Sequence, residues 1–111
     1  MPCLFCKFAT GEISTPILKS SDQVFAIADL SPQAPIHILL LPKIHLENAA
    51  ELAIRAPSTL VEMFTMAAEF AKELKIEGYR MVFNTGESAG QSFFHAHLHL
   101  LGGRPFAWPP G

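Results

Sequence analysis

Three of the five histidines in this 111-residue chain stand at alternate positions, His95-Ala96-His97-Leu98-His99. Alternate side chains of a β-strand share one face. The spacing therefore predicts a row of three imidazoles, roughly 7 Å apart, with Ala96, Leu98 and Leu100 turned into a core. Imidazole offers two chemistries here. Its neutral form is a good nucleophile near pH 7, and a His-x-His pair on a strand can chelate zinc. The spacing alone leaves open both a histidine nucleophile and a metal-dependent hydrolase that uses the triad as ligands.

The residues just before the triad weigh on that choice. Asn84-Thr85-Gly86-Glu87-Ser88-Ala89-Gly90-Gln91-Ser92 holds two glycines and several small donors. Glycine lets backbone N–H groups approach an anion closely, and Ser and Gln add donors. The stretch reads as a phosphate cradle delivered to the triad, although it lacks the Gly-Lys-Ser/Thr of a P-loop. A second constellation is Cys3-x-x-Cys6. In a cytoplasmic chain this spacing points to metal binding or redox chemistry before a disulfide. No βαβ pattern surrounds it, which disfavours a thioredoxin-like role.

The elements that must carry these residues follow from patterning. Residues 3–12 read as a helical turn ending at Gly11, and Ile17-Leu18 with Val24–Ile27 as a hairpin. Ile36–Leu41 reads as a buried strand stopped by Pro42, followed by a short helix over about 46–52. Pro57 opens the longest helix, with Thr59 and Glu62 at capping-box spacing and Gly78 as its C′ residue. Leu60, Phe64, Ala67, Ala71 and Leu74 form one apolar stripe, and Met63, Met66 and Phe70 a second beside it. One stripe suits the sheet and the other a second subunit. Strands are expected over 79–84 and 95–101. The order β-β-β-α-β-β predicts a single antiparallel α+β domain over residues 1–111.

Composition excludes several function classes. A net charge of −2 with no basic patch argues against a nucleic-acid partner. The longest apolar run is strand-sized, so no membrane partner is expected, and the N-terminal residues lack a signal peptide's pattern. The expected compartment is the cytoplasm. Half of the residues are apolar, a high fraction for so small a domain, which suggests that part of the surface is covered by a partner subunit.

The motifs together resemble the histidine-triad superfamily. His95–Leu101 matches its His-φ-His-φ-His-φ-φ signature, where φ is apolar. Asp29-Leu30-Ser31-Pro32-Gln33-Ala34-Pro35-Ile36-His37 is similar to its Asp-φ-x-Pro-x-Ala-Pro-x-His stretch, and Leu41-Pro42-Lys43-Ile44-His45 to its φ-Pro-Lys-x-His. Gly102-Gly103-Arg104 and Trp108-Pro109-Pro110-Gly111 resemble the C-terminus of the nucleotide-binding branch. The resemblance covers nearly the whole chain. It implies a five-stranded antiparallel sheet with one main helix and short helices. It also implies a homodimer joined into a ten-stranded sheet.

The resemblance further implies a purine nucleoside phosphoramidase-like activity on AMP or GMP conjugates. The middle histidine, His97, would attack the α-phosphate and form a nucleotidyl-histidine that water resolves, with no cofactor required. His95 and His99 would orient it or contact phosphate, and Ser92 would assist the leaving amine. Asp29 would read the ribose; Phe5, Ile27 and Leu30 would enclose the base; Asn84, Gly90 and Gln91 would contact phosphate or ribose. His37 would support the triad, and Trp108 would reach the partner subunit's site on the leaving-group side. Ala28 departs from the pattern, since the family often has histidine beside the ribose-binding aspartate. Cys3, Cys6, His45 and His95 would form a structural zinc site like that of several relatives. A nucleotide-binding regulatory protein with weak catalysis is the reading from a different class.

Overall fold

The computed structural model describes residues 3–111, which build one five-stranded antiparallel sheet and three helices. The strands are β1 (Lys19–Ser20), β2 (Val24–Ala28), β3 (Ile36–Pro42), β4 (Tyr79–Val82) and β5 (Leu98–Gly102), in the spatial order β1-β2-β3-β5-β4. The helices are α1 (Leu4–Thr10), α2 (Ala49–Arg55) and α3 (Pro57–Glu73). A short 3₁₀ turn covers Glu87–Ala89. The expected α+β class and five-stranded sheet hold.

The pleat sorts the sheet's side chains into two layers. Val24, Ala26, Ile38, Leu40, Leu98 and Leu100 meet Met63, Met66, Ala67 and Phe70 of α3, and this is the main core. The opposite residues of the central strands, Phe25, Ile27, Leu39 and Leu41, meet Phe5 of α1. With both faces covered, β2 and β3 read as unbroken apolar runs instead of alternating ones. In the β3–β5 register Leu39 stands opposite His99, and His37 opposite Leu101. Thus the histidine face of the sheet is the α1 face.

Several boundaries differ from the sequence expectation. The hairpin forms, yet its first strand is Lys19–Ser20, and Ile17 and Leu18 lie exposed before it. The second helix begins at Ala49, not near Leu46. Asn48 Oδ1 caps the Glu51 N–H at 3.0 Å, and Glu51 Oε1 accepts the Glu47 N–H at 2.6 Å. The pair works like a capping box whose return bond falls on the residue before the cap, Glu47, instead of on Asn48 itself. The box expected on α3 is absent: Thr59 Oγ1 donates to Gln23 Oε1 and Glu62 Oε2 accepts from Ser21 Oγ, both tying α3 to the β1–β2 turn. The left-handed residue after α3 is Lys75 (φ 56°), not Gly78. The stripe of Met63, Met66 and Phe70 is buried, and the other stripe is split: Ala67 and Ala71 are buried with it, whereas Phe64 and Leu74 are exposed.

The triad strand is also shorter than its alternation suggested. β5 begins at Leu98, so only His99 lies within it. Extending the register past Leu40–Leu98 would set Ala96 opposite Pro42, which has no N–H to give. Ala96 N–H turns instead to Leu46 O at 2.8 Å. The three imidazoles therefore do not form an even comb.

Candidate functional site

Each of the three triad histidines has its own partners. His97 Nδ1 lies 2.9 Å from the backbone oxygen of His95. A carbonyl only accepts, so Nδ1 carries the proton and Nε2 keeps its lone pair. His97 and His99 have ring centroids 5.0 Å apart, closer than the expected spacing. Both line a pocket of about 310 Å³ on the α1 side of the sheet, together with Phe5, Asp29, Asn84 and Ser92. A larger open groove of about 510 Å³ near Lys75 and Arg104 contains no histidine and none of the expected site residues.

A chain of hydrogen bonds fixes the protonation of His99. The backbone N–H of Gln33 donates to His37 Nδ1 at 3.0 Å, which leaves the proton of neutral His37 on Nε2. That N–H donates to His99 Nδ1 at 2.9 Å, so the proton of His99 sits on its Nε2. His99 Nε2 is buried and has no hydrogen-bond partner among the described residues. A buried unsatisfied donor is costly, and this one stands beside His97 in a pocket. Burial, aided by neighbouring His97 and His37 and opposed by Asp29, holds the His99 pKa down at about 4. Burial likewise lowers that of His37, against Asp29 with Oδ2 at 3.4 Å. Asp29 itself is anchored by the Ser31 N–H on Oδ1 at 2.8 Å, leaving its other oxygen toward His37 and the pocket.

His95 is turned away from the pocket. Its ring is buried, with Nε2 donating to Pro42 O at 2.7 Å. Its Nδ1 therefore offers a lone pair to Cys3 Sγ (3.4 Å), Cys6 Sγ (3.5 Å) and His45 Nδ1 (3.1 Å), and Cys6 Sγ lies 3.2 Å from His45 Nδ1. Ligands on a tetrahedral zinc sit roughly 3.3–3.8 Å apart, given bonds of about 2.0–2.3 Å. The donor set and its spacing fit zinc, and the outward N–H of His95 on a carbonyl is how metal-bound histidines are held. Asp29, His37 and His99 also bring ligand atoms within 4.8 Å of one another. That group fails the same test, because a metal at His37 Nε2 would require a proton on Nδ1, facing the Gln33 N–H. Neither cluster includes His97.

Most of the expected nucleotide residues converge on the pocket. Phe5, Ile27, Asp29, Leu30, Asn84, Gly90, Ser92, His97 and His99 all line it. Leu30 is 98% exposed at the rim. Gln91 does not line it: its amide accepts the Gly86 N–H and donates to Glu47 O and Phe93 O, so it braces the loop. The Gly90 N–H is also spent within the loop, on Glu87 O. The cradle is thus narrower than its glycines suggested. Gly86 and Gly90 serve the turn through φ values of 89° and 97°. Trp108, 84% exposed, is not part of this pocket. The sequence reading missed Leu4, Phe8 and Thr15 in the lining; the helical spacing of Leu4, Phe5 and Phe8 was the available signal.

Comparisons with known proteins bear on this geometry. The HIT domain family matches residues 10–106. A HIT-like protein of Synechococcus elongatus is 43% identical over 109 residues, covering 97% of this chain and 96% of its own length. The purine nucleoside phosphoramidase of Escherichia coli K12 is 40% identical over 104 residues, covering 92% of this chain and 87% of that protein. The crystal structure of a HIT family hydrolase from Legionella pneumophila superposes with a TM-score of 0.92 at 40% identity, over 99% of this chain and 100% of that one.

Proposed function

The chain belongs to the HIT domain family, and from that premise we propose that it hydrolyses purine nucleoside 5′-phosphoramidates through a covalent nucleotidyl-His97 intermediate. The carrying observation is the Nδ1–H of His97 on the His95 carbonyl, which leaves Nε2 unprotonated toward a pocket shared with Asp29, Ser92 and His99. The similarity to a purine nucleoside phosphoramidase supports the substrate class.

In this reading Asp29 accepts the ribose hydroxyls, and Phe5, Ile27 and Leu30 flank the base. The Nε2–H of His99 donates to a phosphoryl oxygen, gaining the partner it lacks in the free protein. His97 Nε2 bonds to the α-phosphorus as the P–N bond breaks. The leaving nitrogen takes that electron pair and a proton from solvent, passed through the Ser92 hydroxyl. Nδ1 keeps its proton throughout, so the intermediate carries a cationic imidazole, a good leaving group. Water then adds to phosphorus, the P–Nε2 bond breaks, and the nucleoside monophosphate departs with return of the proton to solvent.

Cys3, Cys6, His45 and His95 would hold a zinc ion as a closed four-ligand site, supplying cohesion and no reacting atom. Metal analysis of gently purified protein then gives about one zinc per subunit. The activity test uses adenosine 5′-phosphoramidate bearing a fluorogenic amine. At saturating substrate, amine release at the same initial rate with and without a brief chelator pulse, lost by a factor of about 10³ or more in His97→Ala, is the expected result. AMP binding without release would favour a regulatory nucleotide-binding protein, and release abolished at once by chelator a metal-dependent hydrolase.

A further inference from the structure

The first helix belongs to two sites at once. Cys3 and Cys6 stand at its start, Sγ of Cys3 capping the Cys6 N–H at 3.3 Å, and both sulfurs face His45 and His95. Phe5, between them, is buried against Phe25, Ile27, Leu39 and Leu41, with its ring 5.2 Å from that of His97. Leu4, Phe5 and Phe8 form one wall of the pocket. Yet, among the described residues, α1 is held to the rest of the chain by side chains alone. The backbone hydrogen bonds of residues 3–13 stay inside that segment among the described residues: Lys7 to Cys3, Gly11 to Phe8, Ile13 to Lys7. A seven-residue helix has little stability of its own. Side-chain packing and the cysteine–histidine cluster are what dock it. The cluster also abuts the nucleophile, since His95 gives its ring to the cluster and its carbonyl to His97.

We propose that metal binding and nucleotide binding in this protein are positively coupled through α1. Zinc at the four-residue cluster holds α1 against the sheet, and the docked helix is the wall that a nucleoside packs on. A nucleotide in the pocket in turn holds α1 where both cysteines meet the two histidines. Linkage requires the two effects to be equal: the factor by which zinc raises nucleotide affinity is the factor by which nucleotide raises zinc affinity. The proposal rests on the nucleotide-site reading above and adds a control that this reading does not contain. Cellular metal supply would set how well the site binds nucleotide, without the ion touching the reacting atoms.

The test measures binding of AMP, not turnover. Calorimetry of AMP with zinc-loaded and zinc-stripped protein gives the first factor, and a chromophoric chelator titrated with and without saturating AMP gives the second. A matched factor of about fivefold or more in both is expected. Zinc release from the loaded protein into excess chelator is the companion measurement, and it needs no folded metal-free state. Saturating AMP is expected to slow release by a similar factor. Equal release rates, equal AMP affinities, or a protein that takes up no zinc would overturn the coupling while leaving the nucleotide reading standing. A zinc-loaded protein that fails to bind AMP would overturn both.

Discussion

At the scale of single residues, the site depends on which ring nitrogen carries each proton. Burial keeps His99 and His37 neutral, and backbone groups at their outer ends choose the tautomer: the Gln33 amide through His37 for His99, and the His95 carbonyl for His97. In His37→Asn the relay is cut and His99 can protonate on either nitrogen. We expect kcat to fall about 10²-fold, AMP affinity to weaken as the His99 Nε2–H bond to phosphate is lost in part of the population, and the nitrogen NMR shifts of His99 to report mixed tautomers. An unchanged tautomer with unchanged kcat would remove His37 from the positioning role. The same burial has a pH consequence. Unfolded histidines take up protons below about 6.5, whereas His99 refuses one until about 4, so the unfolded state binds more protons in this window. Stability of chelator-treated protein should be highest above about pH 6.5 and decline toward pH 4. Urea midpoints across that range measure it, and His99→Gln should flatten the slope.

At the scale of elements, β5 is the strand on which the site is built, and its C-terminal end is held by a close approach. Gly102 pairs with both Ile36 and Tyr79, and a Cβ there would lie 2.8 Å from Ile76 Cγ2 and 3.2 Å from its Cδ1. Gly102→Ala should therefore cost about 1–3 kcal/mol in urea unfolding through overpacking, while the activity of the folded fraction persists. A variant as stable as the parent would show that Ile76 yields freely. At the other end of the strand, the β3–β5 ladder stops before Pro42, and the Ala96 N–H bonds to Leu46 O instead. That departure from regular pairing parts His95 from the other two imidazoles, sending it to the cysteines while His97 joins His99 in the pocket.

At the scale of the whole molecule, the sheet leaves β4 as an open edge, with Met81 exposed on it. Val61, Phe64 and Leu74 of the α3 region add exposed apolar surface, and open edges and apolar patches invite association. We propose that two copies join β4 to β4 into a ten-stranded sheet, covering this surface. Sedimentation at micromolar concentration should give twice the 12.2 kDa chain mass, and Met81→Pro, which removes a donor and straight pairing from the edge, should shift it toward one copy. No helix among the described residues is long and apolar enough to cross a membrane.

The sequence by itself determined the family and the class of fold. Alternation of apolar residues through Leu98 and Leu100, Pro57 at the start of α3 and glycines at 86 and 90 are local signals, each set by backbone geometry within a few residues. Family motifs spread over the chain singled out His97, Asp29 and Ser92, which the fold brings into one pocket. What only the tertiary structure decided is how the histidines divide their labour. Whether His95 faces substrate or cysteines depends on where β3 runs out, some fifty residues earlier in the chain. The role of Gln91 was likewise settled by Glu47 O and the Gly86 N–H. Hydrogen-bond partners distant in sequence choose a tautomer and consume a donor, and no periodicity records that choice.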